Sequence, residues 1–173
     1  MAPAMKIARG LFSALLVLVF LSPASAGEKS YPEKNPVLNY AAPAGWKIEV
    51  DTKDGTISIN APDGRISINF GSIPREATME LFEKMLPAMI KVIAEATLVD
   101  KPKAQTTDGL ASFTSTYAGK IEGKPALCTF FLFKGGKDRS VLGNIIVSDP
   151  ETLSKEDSAS LAEFMKSMKG AAK

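Results

Sequence analysis

Residues 57–69 read ISINAPDGRISIN, and this stretch decides the fold. Isoleucine occupies alternate positions on both sides of the central turn, and serine or asparagine occupies the positions between them. Because side chains alternate between the two faces of a strand, each half presents isoleucine to one face and Ser/Asn to the other. The residues Pro62, Asp63 and Gly64 are typical of a tight turn. The stretch therefore predicts a β-hairpin with one apolar and one polar face.

Further strands are predicted upstream of this hairpin. Residues 46–50 alternate between apolar and charged side chains, which is typical of a half-buried strand, and Asp54-Gly55 predicts the turn that follows it. Residues 37–40 predict another short strand. The polar segment 27–36 is expected to be a flexible lead-in.

Residues 76 to about 97 change to helical spacing. Apolar residues recur at steps of three and four: Met79, Phe82, Leu86, Met89, Ile90 and Ile93. Pro87 lies within this pattern and removes a backbone hydrogen bond to the carbonyl of Glu83. Because the apolar stripe continues in phase across Pro87, the pattern predicts one kinked helix.

The C-terminal half predicts three strands and a closing helix. Residues 111–117, 125–133 and 140–147 have strand character, and the last two are apolar on both faces, as in central strands. Two start signals compete for the helix, Asp149 followed by Pro150 and Ser154 followed by Asp157. The buried stripe of the helix is predicted at Leu161, Phe164, Met165 and Met168.

This order of elements predicts a single α+β domain over residues 37–173. Its predominantly antiparallel sheet is expected to be covered by helices, as an α/β/α sandwich. The chain has no segment rich in Pro, Gly and Ser near Asp100 that could act as a linker between two subdomains.

The N-terminus has the pattern of an export signal. Lys6 and Arg9 precede the apolar run 11–21, which is far shorter than the ~20 residues needed to span a bilayer. Ala24-Ser-Ala26 then provides the small-x-small cleavage pattern. We expect cleavage after Ala26, a periplasmic or secreted location, and no stable membrane insertion of the mature chain. An uncleaved anchor is the alternative.

The charge balance gives no indication of nucleic-acid binding. The 173-residue chain has a net charge of +2, and Lys6 and Arg9 account for both excess charges. The chain from Gly27 onward is therefore formally neutral, and no basic stripe with interleaved aromatic residues indicates a nucleic-acid partner.

Residue composition excludes several chemistries. The chain has no histidine, so a His-containing catalytic triad is impossible, and a single cysteine cannot build a usual zinc site. Cys128 lies in an apolar stretch and is expected to be a buried, inert thiol, although a reactive or intermolecular thiol is the alternative. Acidic residues near the start of the last helix are interpreted as helix-dipole partners. No catalytic residue, cofactor or metal ligand is predicted.

Residues 38–46, LNYAAPAGW, resemble the opening strand and Pro-x-Gly-Trp turn of exported proteins with the PsbP-like fold, which include DcrB-like periplasmic proteins. The order of the later elements is also similar, with a meander that contains Tyr117-Ala-Gly119 before a closing helix. The resemblance implies a binding or assembly factor, and it brings no set of catalytic residues with it.

The first functional hypothesis is therefore a non-enzymatic binding or assembly module for an exported protein or a small ligand. An envelope-stress or structural protein without a discrete ligand site is the second hypothesis, and a carboxylate-dependent hydrolase is the third. The sequence leaves the oligomeric state open. The candidate contact surface comprises Trp46, Asp54, Tyr117, Lys134, Lys137 and Arg139.

Overall fold

A computed structural model describes residues 27–171, so the predicted leader lies outside the described residues. The strands are β1 (Lys29–Tyr31), β2 (Leu38–Tyr40), β3 (Lys47–Val50), β4 (Ile57–Asn60), β5 (Ile66–Ile73), β6 (Ala94–Thr107), β7 (Leu110–Ile121), β8 (Lys124–Lys134), β9 (Ser140–Ser148) and β10 (Lys169–Gly170). The helices are α1 (Met79–Met89) and α2 (Lys155–Ser167), and short 3-10 turns span Ile90–Val92 and Pro150–Thr152.

The hairpin predicted from residues 57–69 is confirmed. β4 and β5 pair antiparallel, with Ile59 opposite Ile68 and Ser58 opposite Asn69. The N–H of Gly64 donates to the carbonyl of Ala61 at 2.9 Å and closes the turn. Gly64 has a φ of 72°, a left-handed conformation that favours glycine.

The main sheet has seven strands in the order β3-β4-β5-β9-β8-β7-β6, and every neighbouring pair is antiparallel. β8 lies near the middle, and all residues from 126 to 133 are buried. This confirms that β8 is a central strand covered on both faces, as its doubly apolar sequence predicts.

Different layers cover the two faces of the main sheet. On the face that we call the α2 face, helix α2 and a small sheet of order β1-β2-β10 pack against the isoleucines of the hairpin. The ring of Phe70 lies at the centre of this core, with its centroid 5.0 Å from that of Tyr31 and 5.3 Å from that of Tyr40. On the opposite face, the α1 face, Phe82 and Leu86 of α1 pack on side chains of β8. The predicted α+β class, with an antiparallel sheet between helices, is confirmed.

The predicted extent of the first helix is wrong. The α-helix begins after the N-cap Thr78 and ends at Met89. The 3-10 turn Ile90–Val92 follows it, and Ile93 is already extended. Pro87 weakens the last turn because it lacks an N–H, and Glu95 has a φ of 55°, which is incompatible with a right-handed helix. Among residues 27–171, no helix is long and apolar enough to cross a membrane.

The sequence does not predict strand β6, which begins within the predicted helix, because this strand is polar and mostly exposed at the sheet edge. Pro102 and several register shifts interrupt its pairing with β7. Proline and bulges are typical of edge strands, where they hide any periodic pattern.

The segment 27–36 differs from the expected flexible lead-in. It contains β1, and the side chain of Tyr31 is buried in the core of the α2 face. The Tyr31 hydroxyl donates to the carbonyl of Gly55 at 2.9 Å and accepts from the N–H of Ser72 at 3.0 Å. A buried aromatic ring with two hydrogen bonds fixes this segment to the main sheet.

The second of the two competing start signals begins helix α2. Ser154 is the N-cap, and its hydroxyl accepts from the N–H of Asp157 at 3.0 Å. Asp149 instead lies in a left-handed conformation before the 3-10 turn and makes no side-chain cap. Of the predicted stripe, Leu161, Phe164 and Met168 are buried, and Met165 is half-buried against the same core.

Replacing Ser154 by alanine should lower the free energy of unfolding by ~1 kcal/mol, because the N-terminal N–H groups of α2 lose their side-chain acceptor. Urea denaturation measures this effect. Asp149→Asn is the matched control, because asparagine tolerates the left-handed conformation and no cap is lost. An equal loss in both variants would contradict the assignment of Ser154 as the cap.

Gly143→Ala should destabilise the sheet by ~1–3 kcal/mol, because a Cβ at this position would collide with the backbone oxygen of Asn69 and lie 2.5 Å from Cζ of Phe131. Gly71→Ala is the control, since its Cβ would meet only the Thr56 hydroxyl at 3.2 Å. Thermal unfolding of the two variants should rank Gly143→Ala well below Gly71→Ala, and the reverse order would show that the packing is not as tight as described.

Candidate functional site

The structure brings part of the predicted contact surface to one end of the main sheet. The turn between β3 and β4 contains Asp54, and the turn between β8 and β9 contains Lys137 and Arg139. Both turns lie at the same end because Ile57 is opposite Phe70 and Ile73 is opposite Ser140 in the antiparallel register. Asp54 and Lys137 are exposed there.

Several of these groups are already engaged by intramolecular contacts. Arg139 Nη1 donates to the carbonyl of Asn35 at 2.5 Å, which ties the segment after β1 to the turn. Lys134 Nζ lies 3.3 Å from Oε1 of Glu76. The Asp54 carboxylate accepts from the N–H of Thr56 at 2.9 Å, and this hydrogen bond lowers the pKa of Asp54. These contacts organise the turns themselves.

The two aromatic residues of the predicted surface lie on opposite faces of the sheet. Trp46 is 9% exposed and belongs to the core of the α2 face. Tyr117 packs on the α1 face, with its ring centroid 6.1 Å from that of Phe130. They therefore do not line a common groove, and Trp46 also lies at the opposite end of β3 from Asp54.

A different surface emerges on the α1 face, beside helix α1. Helix α1 packs over β6 and β8, and among the described residues its apolar cluster includes nothing from β3 or β4 and only Ile73 from β5. The polar sides of β4 and β5, together with one residue of β9, therefore remain open. We call this surface the Ser/Asn face; it comprises Ser58, Asn60, Ser67, Asn69 and Asn144, all half-buried.

Asn69 connects the members of the Ser/Asn face. Its Oδ1 accepts from the Ser58 hydroxyl at 2.7 Å, and its Nδ2 donates to the Ser67 hydroxyl at 3.2 Å and to Oδ1 of Asn144 at 3.1 Å. These bonds join three strands and hold the side chains in fixed orientations. The amide of Asn60 and Nδ2 of Asn144 have no such partner among residues 27–171, so they can bond to another molecule.

The Ser/Asn face is uncharged, and the charges at its margin cancel. Lys47 and Glu49 lie on the same face of β3, opposite Asn60 and Ser58 respectively. Lys47 Nζ lies 2.6 Å from Oε1 of Glu49. The surface can therefore offer hydrogen-bond donors and acceptors without a net electrostatic preference.

The sequence predicts that four of the five residues of this surface lie together. The repeat at 57–69 places Ser and Asn on one face of the hairpin, but no motif in it indicates a binding site. Asn144 gave no signal of its own, because its place beside Asn69 depends on the pairing of β5 with β9.

Two acidic residues, Asp63 in the β4–β5 turn and Asp157 at the start of α2, contact one arginine. Arg65 Nε lies 2.5 Å from Oδ2 of Asp63, and Arg65 Nη2 lies 3.1 Å from Oδ2 of Asp157. The hydrogen bond from the Arg65 side chain lowers the pKa of Asp63. Within residues 27–171, no group of three or more His, Cys, Asp or Glu residues is arranged to hold a metal ion.

Cys128 is fully buried in the apolar cluster of the α1 face, opposite Tyr117 on β7 and Ile146 on β9. Burial raises its pKa from an ordinary value of 9.0 to about 11. The thiol is therefore neutral at physiological pH, which confirms the interpretation of Cys128 as a buried core residue.

Comparison with solved structures shows that the fold is similar to that of several bacterial proteins. A Bacteroides thetaiotaomicron structure matches with a TM-score of 0.53 and 11% identity over 86% of this chain, which spans only about half (50%) of that protein. LpqN, involved in cell envelope biogenesis of Mycobacterium tuberculosis, matches with a TM-score of 0.51 and 13% identity over 94% of this chain and 96% of its own.

The protein of unknown function PA94 from Pseudomonas aeruginosa matches with a TM-score of 0.52 and 10% identity, over 86% of this chain and 100% of its own. No protein-family model and no curated protein sequence matches the chain. At these identities the matches establish a common fold, and one of the proteins that share it is linked to the cell envelope.

The buried thiol predicts a specific pH dependence of stability. The unfolded thiol ionises near pH 9.0 and the folded thiol near about 11, so the stability that the buried neutral thiol contributes is complete below about pH 9 and is lost as pH rises toward 11. In urea denaturation with reductant present, the difference in unfolding free energy between the native protein and Cys128→Ala should shrink over this interval.

The buried tyrosines give this experiment an internal control. Burial also raises the pKa values of Tyr31 and Tyr40, so both proteins should lose stability in the alkaline range above pH 10. The further loss of stability that ionisation of Cys128 causes in the native protein should be absent in Cys128→Ala. Parallel curves for the two proteins would show that Cys128 titrates alike in the folded and unfolded states.

Proposed function

We propose that this protein is an exported protein of the cell envelope that binds a ligand or partner without catalysing a reaction. The observation that carries the proposal is the Ser/Asn face, an open and ordered hydrogen-bonding surface beside helix α1, on a sheet whose opposite face is covered by α2 and a second sheet. The pattern of the leader and the envelope role of LpqN support the location. Membership of the PsbP-like group is part of the same proposal, supported by residues 38–46 and by the order of elements.

The chemistry of the described residues favours binding over hydrolysis. General acid–base catalysis by two carboxylates needs one group with a raised pKa beside an ionised one. Asp63 and Asp157 both contact the guanidinium of Arg65, whose hydrogen bond lowers the pKa of Asp63, and Ser154 also donates to Asp157. This arrangement links the β4–β5 turn to the start of α2.

Site-specific photo-crosslinking in the intact cell tests the binding function. A benzophenone side chain at Ser58 should yield discrete adducts, because it inserts into C–H bonds of whatever molecule occupies the Ser/Asn face. The same side chain at Gln105, an exposed residue of the edge strand β6, is the matched control and should yield few adducts. Equal labelling at both positions, or none at Ser58, would exclude this face as a binding surface and favour a structural protein without a discrete ligand site.

Export is tested separately by the mass of the chain in the periplasmic or secreted fraction. The native protein should begin at Gly27, and Ala26→Phe should retain the leader because signal peptidase requires a small residue before the cleaved bond. Recovery of the native chain with Met1 or its leader intact in the membrane fraction would contradict cleavage and favour an anchored protein.

A further inference from the structure

We propose that the ligand of the Ser/Asn face is a neutral polysaccharide. This inference rests on the proposed binding function and adds the chemical class of the ligand. A ligand of this face must form hydrogen bonds with the amide and hydroxyl groups of its Asn and Ser residues, and it needs no charged group to do so. A chain of sugar rings, which carries hydroxyl groups along its length, meets that requirement.

The groups left available on the face match the chemistry of hydroxyl groups. The Asn60 amide presents a donor and an acceptor side by side, and Nδ2 of Asn144 presents a further donor. Two neighbouring sugar hydroxyls can each donate and accept, so one amide can bond to both. The Ser58 oxygen, which donates its proton to Asn69, retains lone pairs that can accept another hydrogen bond.

The lack of net charge and the polar character of β4 and β5 on this face disfavour other ligands. A phosphate or nucleic-acid ligand requires unpaired Lys or Arg, whereas the nearest lysine, Lys47, is paired with Glu49 at 2.6 Å. An acyl chain requires a continuous apolar surface, whereas Ser and Asn occupy this side of β4 and most of β5, and apolar side chains flank the face only at Ile73 of β5 and at Leu142 and Ile146 of β9.

A peptide strand is also a poor match for this surface. Peptides that extend a sheet bind at its edge, where backbone groups are unpaired. β5 is bonded on both sides, to β4 and to β9, and β4 is bonded on both sides, to β3 and to β5. Recognition on this face must therefore use side chains.

The dimensions of the face favour an extended ligand. The face extends over β4, β5 and β9, and neighbouring strands lie about 4.8 Å apart, so its width is about 10 Å, which exceeds the width of one sugar ring. Asn69 fixes the orientations of Ser58, Ser67 and Asn144 before any ligand arrives. Such preorganisation reduces the entropy that binding would otherwise lose.

Affinity electrophoresis with soluble neutral polysaccharides (amylose, dextran, xyloglucan and β-glucan) and co-sedimentation with insoluble cellulose and chitin test the proposal on the purified chain from Gly27. We expect at least one neutral polysaccharide to retard or sediment the native protein. Because no ion pair is involved, retention should change little up to about 0.5 M salt. Polygalacturonate is the anionic comparison.

Asn60→Ala combined with Asn144→Ala should weaken this binding by about tenfold or more, because two hydrogen-bonding amides are lost. Asn60→Asp is a second variant that keeps the shape of the side chain but removes its donor and adds charge. Asn60 makes no intramolecular side-chain bond within residues 27–171, so this variant should retain the native thermal unfolding temperature. Gln105→Ala should bind like the native protein.

Three results would overturn the inference: no binding to any neutral polysaccharide, equal binding by the Asn60 variants, or binding only to polygalacturonate with loss at high salt. Ser58 crosslinks that contain protein would then leave the proposed binding function in place and exclude only the polysaccharide. If Ser58 yields no discrete crosslinks and no neutral polysaccharide binds, the proposed binding function is rejected as well.

Discussion

Within residues 27–171, one face of the seven-stranded sheet has a single helix to cover it, and this constraint determines the character of the surface. Helix α1 has 11 residues and is therefore about 16 Å long, whereas the outer strands of the sheet lie about 29 Å apart. It shields the apolar side chains of β8 and its neighbours. The remaining strands must present polar groups to water, and the hairpin of β4 and β5 does so with Ser and Asn. The opposite face is covered by both α2 and a three-stranded sheet, and it receives the isoleucines.

The apolar side of the hairpin holds the layers together. Phe70 contacts Tyr31 of β1 and Tyr40 of β2, and Tyr40 in turn lies near Phe164 of α2, with ring centroids 6.3 Å apart. Because Gly143 on β9 lacks a side chain, the ring of Phe131 can approach this strand closely. The Ser/Asn face is thus supported from behind by a rigid aromatic core, which explains how an exposed polar surface can keep a defined shape.

Much of the fold could be predicted from local pattern, and the errors have a common cause. The hairpin, the two central strands and the buried stripe of α2 follow from periodicity. β1, β6 and β10 are short or polar, so their strand conformation depends on the partners with which they pair. The predicted contact surface is likewise correct only in part. Asp54, Lys137 and Arg139 share one end of the sheet, whereas Trp46 and Tyr117 lie on opposite faces of it.

By itself, the sequence determined that Ile and Ser/Asn occupy opposite faces of the hairpin, that Cys128 belongs to an apolar strand, and that no histidine is available for chemistry. These properties depend on residue type and on a period of two, which are local. Only the tertiary structure decided which polar side chains form one surface. Asn144 is 75 residues from Asn69 and meets it because β9 pairs with β5, and the face stays open because α1 lies over the other strands. Neither long-range strand pairing nor the limited area that one helix covers can be predicted from a local sequence pattern.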